Sequence, residues 1–266
     1  MKNFEHLSVE RRGSALWIYF NRPEVKNALT LPMATEFLQA VRSAVKDREA
    51  AVVVISGKGE AFSAGGDIKK MIETPKSKDL KRFFLKISKV IHTAVEEMRR
   101  SEKPFLAAVP GFVGGIAFGM VLGTDLRIAS SKAQFCAATI RLGLVANGSA
   151  TWHLPRMIGL ARASEVLFLG DTVPAEEALR WGLINRVVPA ESLEAETQAL
   201  AERLASAPRK ALGRLKKILN ASLTSTLPAQ LERERQAIAW SATTGDFKEG
   251  MRAFLEKRKP SFNSIR

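Results

Sequence analysis

The chain has 266 residues, 46% of them hydrophobic, which is enough for one large core or for a core with a smaller helical domain. Its single cysteine, Cys136, excludes an intrachain disulfide and a cysteine zinc cluster. The N-terminal segment lacks an apolar signal core, and no apolar run approaches the length of a membrane span. We therefore expect a cytoplasmic protein with no membrane partner.

The formal net charge of +14 indicates an acidic partner. Charge alone fits a phosphate-bearing small molecule, a nucleic acid or a membrane surface equally well. The densest basic run contains Lys78, Arg82, Lys86 and Lys89, which are spaced so that they share one face of a predicted helix. A solvated helix face is the favoured interpretation, and a phosphate-binding comb is the alternative.

Strand, loop and helix patterns repeat along the first part of the chain, which predicts stacked βαβ units. The last third is predicted to be mainly helical. The predicted strands are Leu7–Val9, Ala15–Phe20, Ala51–Ser56, Phe105–Val109, Leu126–Ala129 and Ala133–Cys136. The predicted helices are Leu31–Val45, Asp79–Arg99, Ile116–Leu122, Ser149–Arg156, Ala161–Leu169, Ala175–Trp181, Leu193–Ala205, Ala207–Leu219, Ala229–Trp240 and Lys248–Lys257.

Two glycine-rich stretches follow predicted strands, and we call them the first glycine loop (Ala61–Ile68, AFSAGGDI) and the second glycine loop (Val109–Asp125, VPGFVGGIAFGMVLGTD). Glycine permits unusual dihedral angles and close approach of a ligand to the backbone. Helices that begin near Asp67 and Gly115 would add the positive ends of their dipoles, so both loops suit an oxygen that becomes negative. If the loops face each other they form an oxyanion hole, whereas the alternative is that these are unrelated loop glycines.

A series of motifs follows a definite order along the chain. They are NRPEVKNALT (Asn21–Thr30), AFSAGGDI, the second glycine loop ending in TDLRIAS (Thr124–Ser130), AQF (Ala133–Phe135), TWHLPR (Thr151–Arg156), WGLINRVV (Trp181–Val188) and FLEKRKPSF (Phe254–Phe262). In this order they resemble the crotonase, or enoyl-CoA hydratase/isomerase, superfamily over nearly the whole chain, and an ordered set is far more specific than one glycine pattern. The C-terminal half is most similar to the isomerases of phenylacetate degradation.

The resemblance implies an α/β fold, namely a crotonase (ClpP-like) spiral of ββα units with a C-terminal helical region. Residues 1–195 would form the spiral core with the ligand-binding loops. Residues 196–266 would form a helical region that builds homotrimers, often paired into hexamers. The implied activity is that of an enzyme of acyl-CoA and fatty acid metabolism, with coenzyme A as the substrate carrier and no permanently bound cofactor.

The resemblance places the two oxyanion-hole amides at Ala64 and Ile116, where they would bind the thioester carbonyl oxygen of an acyl-CoA. An enolate formed from a thioester carries its charge on this oxygen, so two aligned N–H donors stabilise it more than they stabilise the neutral substrate. Phe254 and Lys257 match positions that line the coenzyme A cleft from a C-terminal helix, of this or a neighbouring subunit. A core phenylalanine and an ordinary surface lysine are the alternative.

The same resemblance implies contacts with the adenine end of coenzyme A. These contacts would come from the backbone around Lys26 and Ala28 and from the turn at Gly66, Asp67 and Ile68.

Two departures from the superfamily pattern concern hydration. Its hydratases use two glutamates, one for each end of a water molecule. An ungapped alignment of the second glycine loop puts Gly119 at the first position, and the segment after AQF puts Thr139 at the second. Neither residue can act as a general base near neutral pH, so hydration by the two-glutamate route is disfavoured.

A third departure concerns isomerisation. The isomerases of phenylacetate degradation have an aspartate in the loop before the TW pair, and Asn147 stands at that position here. An amide of the same shape can orient a substrate or a water but does not accept a proton to a useful extent. A turn asparagine is the alternative interpretation.

We therefore predict an acyl-CoA enzyme with the oxyanion hole of the fold and a relocated or unusual catalytic group, with a double-bond isomerase favoured over a hydratase, hydrolase or decarboxylase. Glu73 or His92 would supply the group if the intervening helix bends inward. The alternative class is a non-catalytic acyl-CoA-binding protein, or one that binds RNA through its basic helix, with RNA the less favoured partner. We expect no metal, because His6, His92 and His153 lie far apart in the sequence.

Overall fold

The computed structural model describes residues 4–72 and 77–262, except for the side chains of residues 72, 77 and 78. The strands within these residues are β1 (Leu7–Arg12), β2 (Ala15–Phe20), β3 (Val52–Gly57), β4 (Ala61–Ser63), β5 (Phe105–Val109), β6 (Phe112–Gly114), β7 (Leu126–Ser130), β8 (Gln134–Cys136), β9 (Thr172–Pro174) and β10 (Arg186–Val188). The α-helices are α1 (Leu31–Lys46), α2 (Ile68–Ile72), α3 (Ser77–Arg100), α4 (Gly115–Leu122), α5 (Ala150–Ile158), α6 (Leu160–Leu169), α7 (Ala175–Arg180), α8 (Leu193–Ala205), α9 (Arg209–Ser222), α10 (Leu227–Ala242) and α11 (Gly245–Leu255).

The strands form two sheets, one with the order β1-β2-β3-β5-β7-β10 and one with the order β4-β6-β8-β9. Neighbouring strands are parallel, apart from the antiparallel pairs β1–β2 and β8–β9. From β3 to β8, each consecutive pair places its first strand in the larger sheet and its second in the smaller sheet, and a helix follows. This repeat confirms the predicted spiral of ββα units.

The central strand β3 is buried along its whole length because helices cover both faces of the larger sheet. Val53 and Ile55 pack in one apolar cluster with α1, α3 and α4. Val52 and Val54 point the other way and pack with Ala201 of α8 in a second cluster. Burial on two sides explains why the sequence of this strand is continuously apolar rather than alternating.

The predicted start of one helix and the predicted burial of another are confirmed. Thr30 caps α1, since its Oγ1 accepts a hydrogen bond from the Met33 amide at 3.4 Å, and Pro32 lies in the first turn. In α4 every residue from Ile116 to Leu122 is buried, as its uninterrupted apolar sequence predicts. None of the helices in the described part of the chain is both long enough and apolar enough to cross a membrane.

The last three helices form an outlying layer in which α10 packs on α9 and α11 packs on α10. The predicted division between residues 195 and 196 falls inside α8, which packs on the larger sheet. We call the uncovered apolar side chains of the last three helices the C-terminal apolar surface. Its members are Leu215, Leu219, Leu223, Leu227, Leu231, Ile238, Phe247, Met251, Phe254 and Leu255.

Candidate active site

The two glycine loops lie side by side because β4 and β6 are parallel neighbours in the smaller sheet. A Cβ atom added at Gly65 would lie 2.7 Å from the Gly114 carbonyl oxygen. Gly65 also has a φ of +91°, which an L residue rarely adopts. Glycine at this position is therefore what lets the two backbones touch.

The second glycine loop ends where α4 begins, and the first amides of a helix have no acceptor within the helix. Gly114, at the N-cap, offers no side-chain acceptor either. Within residues 4–72 and 77–262, no hydrogen bond engages the Ile116 amide. Its N–H group, at the positive end of the α4 dipole, is available to a negative oxygen.

The structure corrects the other predicted amide. The Ala64 N–H donates to the Lys26 carbonyl oxygen at 2.8 Å, so it is not a free donor. Gly66 lies two residues after Ala64, and Leu29 forms hydrogen bonds with both of its neighbours. The Leu29 N–H donates to the Gly65 carbonyl oxygen, and the Leu29 carbonyl oxygen accepts from the Asp67 N–H. The Gly66 N–H therefore points away from Leu29, and it has no acceptor among the described residues.

The segment at residues 21–30 is tied to the first glycine loop. Asn27 is fully buried, and its Nδ2 donates to the Ala61 carbonyl at 2.8 Å. The Arg22 guanidinium donates to the Ala28 carbonyl at 2.7 Å and lies 3.3 Å from the Asp67 carboxylate. These contacts bring together the residues predicted to hold the adenine end of coenzyme A, namely Lys26, Ala28, Gly66, Asp67 and Ile68.

Gly119 and Thr139, the residues that we predict at the positions of the two hydratase glutamates, carry no acid. At Gly119 a Cβ atom would lie 2.3 Å from the Gly148 carbonyl oxygen and 2.5 Å from that of Asn147. The backbone of the loop before α5, residues 143–149, thus fills the space that a side chain at 119 would need. We call this segment the Asn147 loop. Thr139 packs against the start of α4, since its methyl carbon would lie 3.7 Å from a Cβ atom added at Gly115. The Thr139 hydroxyl donates to the Ala137 carbonyl oxygen.

Both the nitrogen and the oxygen of the Asn147 side-chain amide form hydrogen bonds. Its Nδ2 donates to Ser88 Oγ at 2.7 Å, and its Oδ1 accepts from the Gly148 N–H at 2.7 Å. The same Oδ1 lies 2.6 Å from His92 Nε2. Ser88 and His92 are one turn apart on α3 and so share a face. The Asn147 loop reaches this face of α3, so the contact does not depend on a bend in the helix.

The hydrogen bonds of Asn147 fix the proton on His92. Because Oδ1 is an acceptor, His92 Nε2 must carry the proton and donate it. The other ring nitrogen, Nδ1, then holds the lone pair of the imidazole. Asn147 therefore orients an exposed imidazole ring and fixes its tautomer.

A second hydrogen-bond chain holds the Asn147 loop from behind. Ser149 Oγ donates to the Gly119 carbonyl at 2.9 Å and accepts from His153 Nδ1 at 2.9 Å. His153 is 5% exposed, and this burial, with the nearby charge of Arg99, lowers the pKa of His153 to about 4. The ring is therefore neutral near pH 7 and supports the loop as a structural group.

The predicted C-terminal contributors lie apart from this site in a single chain. Phe254 is 83% exposed, and Lys257 is exposed with a φ of +53°. In the part of the chain that the structure describes, no hydrogen bond or ion pair joins either residue to the glycine loops. Their contribution from a neighbouring subunit stays a prediction. Glu73, the other candidate acid, lies outside the described residues.

One group of potential metal ligands, Glu5, His6 and Glu36, occurs among the described residues. The Glu36 carboxylate lies 3.1 Å from His6 Nδ1 and accepts from the backbone N–H groups of His6 at 2.9 Å and Glu5 at 3.3 Å. These bonds fasten the start of β1 to α1. They account for the cluster, and we assign no metal to it.

The basic face of α3 is solvated. Arg82, Lys86 and Lys89 are exposed, while the side chain of Lys78 lies outside the description. The opposite face of the helix buries Ile87 and Ile91. Among the residues with described side chains, no salt bridge engages these three cations. Both the solvated-face and the phosphate-binding interpretations are compatible with this arrangement.

Sequence reasoning missed three groups at this site, namely the Gly66 amide as a donor, Ser88 and Ser149. Ser88 could have been found, because it lies four residues before His92 on a predicted helix. The roles of Gly66 and Ser149 depend on contacts between distant segments, which no local pattern reveals.

Paired glycine loops that present free backbone N–H groups, on a spiral of ββα units, make this a protein suited to binding an oxyanion. Residues 10–265 match the sequence model of the Enoyl-CoA hydratase/isomerase family. The chain therefore belongs to this family, within the crotonase superfamily.

Individual relatives agree with this assignment. The chain is 34% identical over 244 residues to 1,2-epoxyphenylacetyl-CoA isomerase of Escherichia coli (strain K12), covering 91% of this chain and 92% of the relative. It is 36% identical over 249 residues to a probable enoyl-CoA hydratase of Rhodobacter capsulatus, covering 92% and 93%. A crystal structure of enoyl-CoA hydratase from Bacillus anthracis matches with a TM-score of 0.91 and 29% identity, covering 98% and 100%. These relatives are named for CoA-linked substrates.

Proposed function

We propose that this protein is an acyl-CoA double-bond isomerase that stabilises a thioester enolate with the Gly66 and Ile116 amides. The observation that carries the proposal is that these unengaged N–H groups lie on touching loops beside the Asn147 loop. A Cβ atom on Gly148 would lie only 2.4 Å from the Ile116 carbonyl oxygen, so the residue after Asn147 packs directly against the hole. The relatives named for CoA thioesters support the substrate class.

The reaction we propose moves one proton within the substrate. The thioester oxygen of a 3-enoyl-CoA accepts the two N–H donors, the α carbon loses a proton, and the resulting dienolate places its charge on that oxygen. Return of the proton to the γ carbon gives the 2-enoyl-CoA. The hole stabilises the charged intermediate more than the neutral substrate, which is the condition for lowering the barrier.

His92 is the proton carrier in this proposal. Its Nδ1 lone pair can accept the α proton as a general base, and the protonated ring can then return it to the γ carbon as a general acid. Asn147 and Ser88 would act as positioning residues, holding the ring by the 2.6 Å and 2.7 Å hydrogen bonds. One carrier is sufficient for isomerisation because the proton that leaves is the proton that returns.

Hydration requires more than this site offers. A water molecule must lose a proton to one group while the substrate carbon gains a proton from another. The backbone of the Asn147 loop fills the space beside Gly119, and the Thr139 hydroxyl is not a base at neutral pH. These two positions favour isomerisation over hydration.

The second candidate function is acyl-CoA binding without turnover. The observation in its favour is that Gly119, Thr139 and Asn147 all lack a carboxylate. RNA binding through Arg82, Lys86 and Lys89 is less favoured, because a row of exposed cations on one helix is compatible with a simple solvated face.

The test is the conversion of 3-enoyl-CoA into conjugated 2-enoyl-CoA, followed by ultraviolet absorbance, for the parent and for His92→Gln. We expect the variant to lose roughly 10²-fold or more in kcat, because a positioned general base contributes about that much. Glu96→Gln is the matched control, since Glu96 is one turn further along α3 and pairs only with Arg100 among the described residues.

Thermal unfolding with and without an acyl-CoA separates the alternatives. Binding to the native state alone raises stability by RT ln(1 + [L]/Kd). Stabilisation without turnover of any enoyl-CoA would favour the binding protein over the isomerase. If acyl-CoA neither stabilises the protein nor is turned over by it, the acyl-CoA assignment is overturned.

A further inference from the structure

Asn147 is followed by Gly148, and this is the only Asn-Gly pair in the chain. The other asparagines precede Phe, Arg, Ala or Ser. An asparagine can lose its side-chain amide when the next peptide nitrogen attacks its Cγ carbon. A following glycine favours this reaction because it has no Cβ to hinder the nitrogen or restrict the backbone.

We propose that Asn147 deamidates in the folded protein and becomes an aspartate, which supplies the carboxylate that the site otherwise lacks. The consequence for activity rests on the proposed isomerase function, whereas the modification itself rests only on the chemistry of the Asn147 loop.

The hydrogen bonds of Asn147 place the reacting groups together. The Gly148 N–H donates to Asn147 Oδ1 at 2.7 Å, so the nitrogen lies beside the carboxamide whose Cγ it would attack once it has lost that proton. His92 Nε2 donates to the same oxygen at 2.6 Å and would stabilise the negative charge that forms there. Ser88 Oγ accepts from the Nδ2 that would depart. Asn147 is half-buried, so water has access to the product.

The chemistry balances with water as the only co-reactant. The Gly148 nitrogen gives its proton to solvent and forms a bond to Asn147 Cγ, which closes a five-membered succinimide. The bond from Cγ to Nδ2 breaks, and the nitrogen leaves with a proton as ammonia. Water then opens the ring. Overall one carboxamide and one water become one carboxylic acid and one ammonia, with no change of oxidation state.

The packing of the loop determines which of the two C–N bonds of the succinimide ring is hydrolysed. Opening at Cγ restores the normal backbone and gives aspartate, whereas opening at the main-chain carbonyl gives isoaspartate and lengthens the backbone by one carbon. The loop has no room for a longer backbone, because Gly148 lies against the Ile116 carbonyl and Ser149 is bonded to the Gly119 carbonyl. We therefore expect aspartate as the main product of the folded protein.

The experiment compares freshly purified full-length protein with protein aged in mildly alkaline buffer, both folded and in urea. Peptide mapping of residues 142–156, which trypsin releases as LGLVANGSATWHLPR, reports the change from amide to acid and separates aspartate from isoaspartate. Asn27 and Asn220, each followed by alanine, are internal controls. Asn147→Gln is the matched variant, because its longer side chain would have to close a less favourable six-membered ring. Asn147→Asp provides the end point.

We expect the folded parent to convert at Asn147 to aspartate, to release one equivalent of ammonia per chain, and to gain isomerase activity in proportion. Asn27, Asn220 and the Asn147→Gln variant should stay unchanged. The inference is overturned if the folded protein keeps its amide while the chain in urea converts, or if isoaspartate is the main product. Conversion to aspartate without a gain over the freshly purified parent would leave the modification standing and would show that the new carboxylate takes no part in isomerisation, whereas the isomerase function itself is tested separately by His92→Gln.

Discussion

At the level of single residues, the neutral His153 stabilises the Asn147 loop through a hydrogen bond to Ser149. Its Nδ1–H donates to Ser149 Oγ, and Ser149 in turn holds the Gly119 carbonyl. Its other ring nitrogen is buried without a partner in the described residues. A charged ring would have to place a second proton in this apolar environment, which is why burial lowers the pKa of His153 to about 4.

This lowered pKa predicts a loss of stability in acid. The ordinary value is 6.5, so between pH 6.5 and 4 the unfolded chain binds a proton that the folded chain does not. The stability that the folded chain derives from keeping His153 neutral is therefore complete above pH 6.5 and is lost as the pH falls toward 4. A shift of this size corresponds to on the order of 3 kcal/mol in the free energy of unfolding. Urea unfolding across this range measures it.

His153→Asn is the control, because its amide can still donate to Ser149 but does not titrate. Carboxylates also make the free energy of unfolding depend on pH in this range, in both the parent and the variant. The difference between the two slopes of unfolding free energy against pH therefore gives the contribution of His153. Identical slopes would show that this histidine is not held neutral by the fold.

The amides that we propose for the oxyanion hole show how much of the site the sequence predicts. The glycine loops themselves are evident from AFSAGGDI and VPGFVGGIAFG. Which amide of the first loop is free is not evident, because it depends on the bridge between Leu29 and Gly66. That pairing joins segments almost forty residues apart. Because successive N–H groups of an extended segment point to opposite sides, the pairing decides which of them face away from Leu29.

At the level of elements, the contact between α4 and the Asn147 loop defines the floor of the site. Gly119 is buried in the middle of α4, and the carbonyl oxygens of Asn147 and Gly148 occupy the space where its side chain would stand. Glycine is a poor helix former, so its presence in a buried helix has a packing reason here.

Gly119→Ala should therefore destabilise the protein despite the higher helix propensity of alanine. We expect a loss of about 1–3 kcal/mol or more, as for other overpacked cores, because backbone rather than a flexible side chain must move. Urea unfolding gives the value. Gly245→Ala is the control, since nothing lies within 4 Å of its added Cβ, and it should be neutral or stabilising. Equal effects of the two changes would contradict the close packing of the loop on α4.

The longer elements followed from the sequence, whereas among the three-residue strands only β8 was predicted. The strand Phe105–Val109 and the helix Leu193–Ala205 have the predicted bounds, and α3 differs by only a few residues. The strands β4, β6, β9 and β10 have three residues each, too few to show an alternating pattern. Because most of the smaller sheet consists of these strands, the sequence predicted repeated units without revealing the second sheet.

At the level of the whole molecule, α9, α10 and α11 carry an apolar surface that a single chain leaves open. Its members include Leu231 and Ile238, 53% and 71% exposed, which lie two turns apart on α10. Monomeric proteins rarely expose apolar patches of more than a few hundred Å². We propose that copies of this chain cover the surface, in a homotrimer or a hexamer, and that Phe254 and Lys257 then reach a neighbour's coenzyme A cleft.

Analytical ultracentrifugation should therefore find the parent as a trimer or hexamer. Replacing Leu231 and Ile238 together by glutamate should give folded smaller species with weaker acyl-CoA binding, because charges would be buried at the contact. Glu234→Gln, on the same helix, should leave the assembly intact. A parent that sediments as a monomer at micromolar concentration would contradict this proposal.

The central claim is that the site has an intact oxyanion hole and lacks a carboxylate, and Asn147→Asp tests it most directly. The change is nearly isosteric and leaves the Gly66 and Ile116 amides untouched, so folding and acyl-CoA binding should survive. We predict that the variant interconverts 2-enoyl-CoA and 3-enoyl-CoA roughly 10²-fold or more faster than freshly purified parent, since a positioned carboxylate typically contributes about 10²- to 10⁴-fold in proton transfer. A folded variant that binds acyl-CoA and gains nothing would show that residue 147 is not aimed at the substrate carbons, and would contradict the claim that the site lacks only a carboxylate.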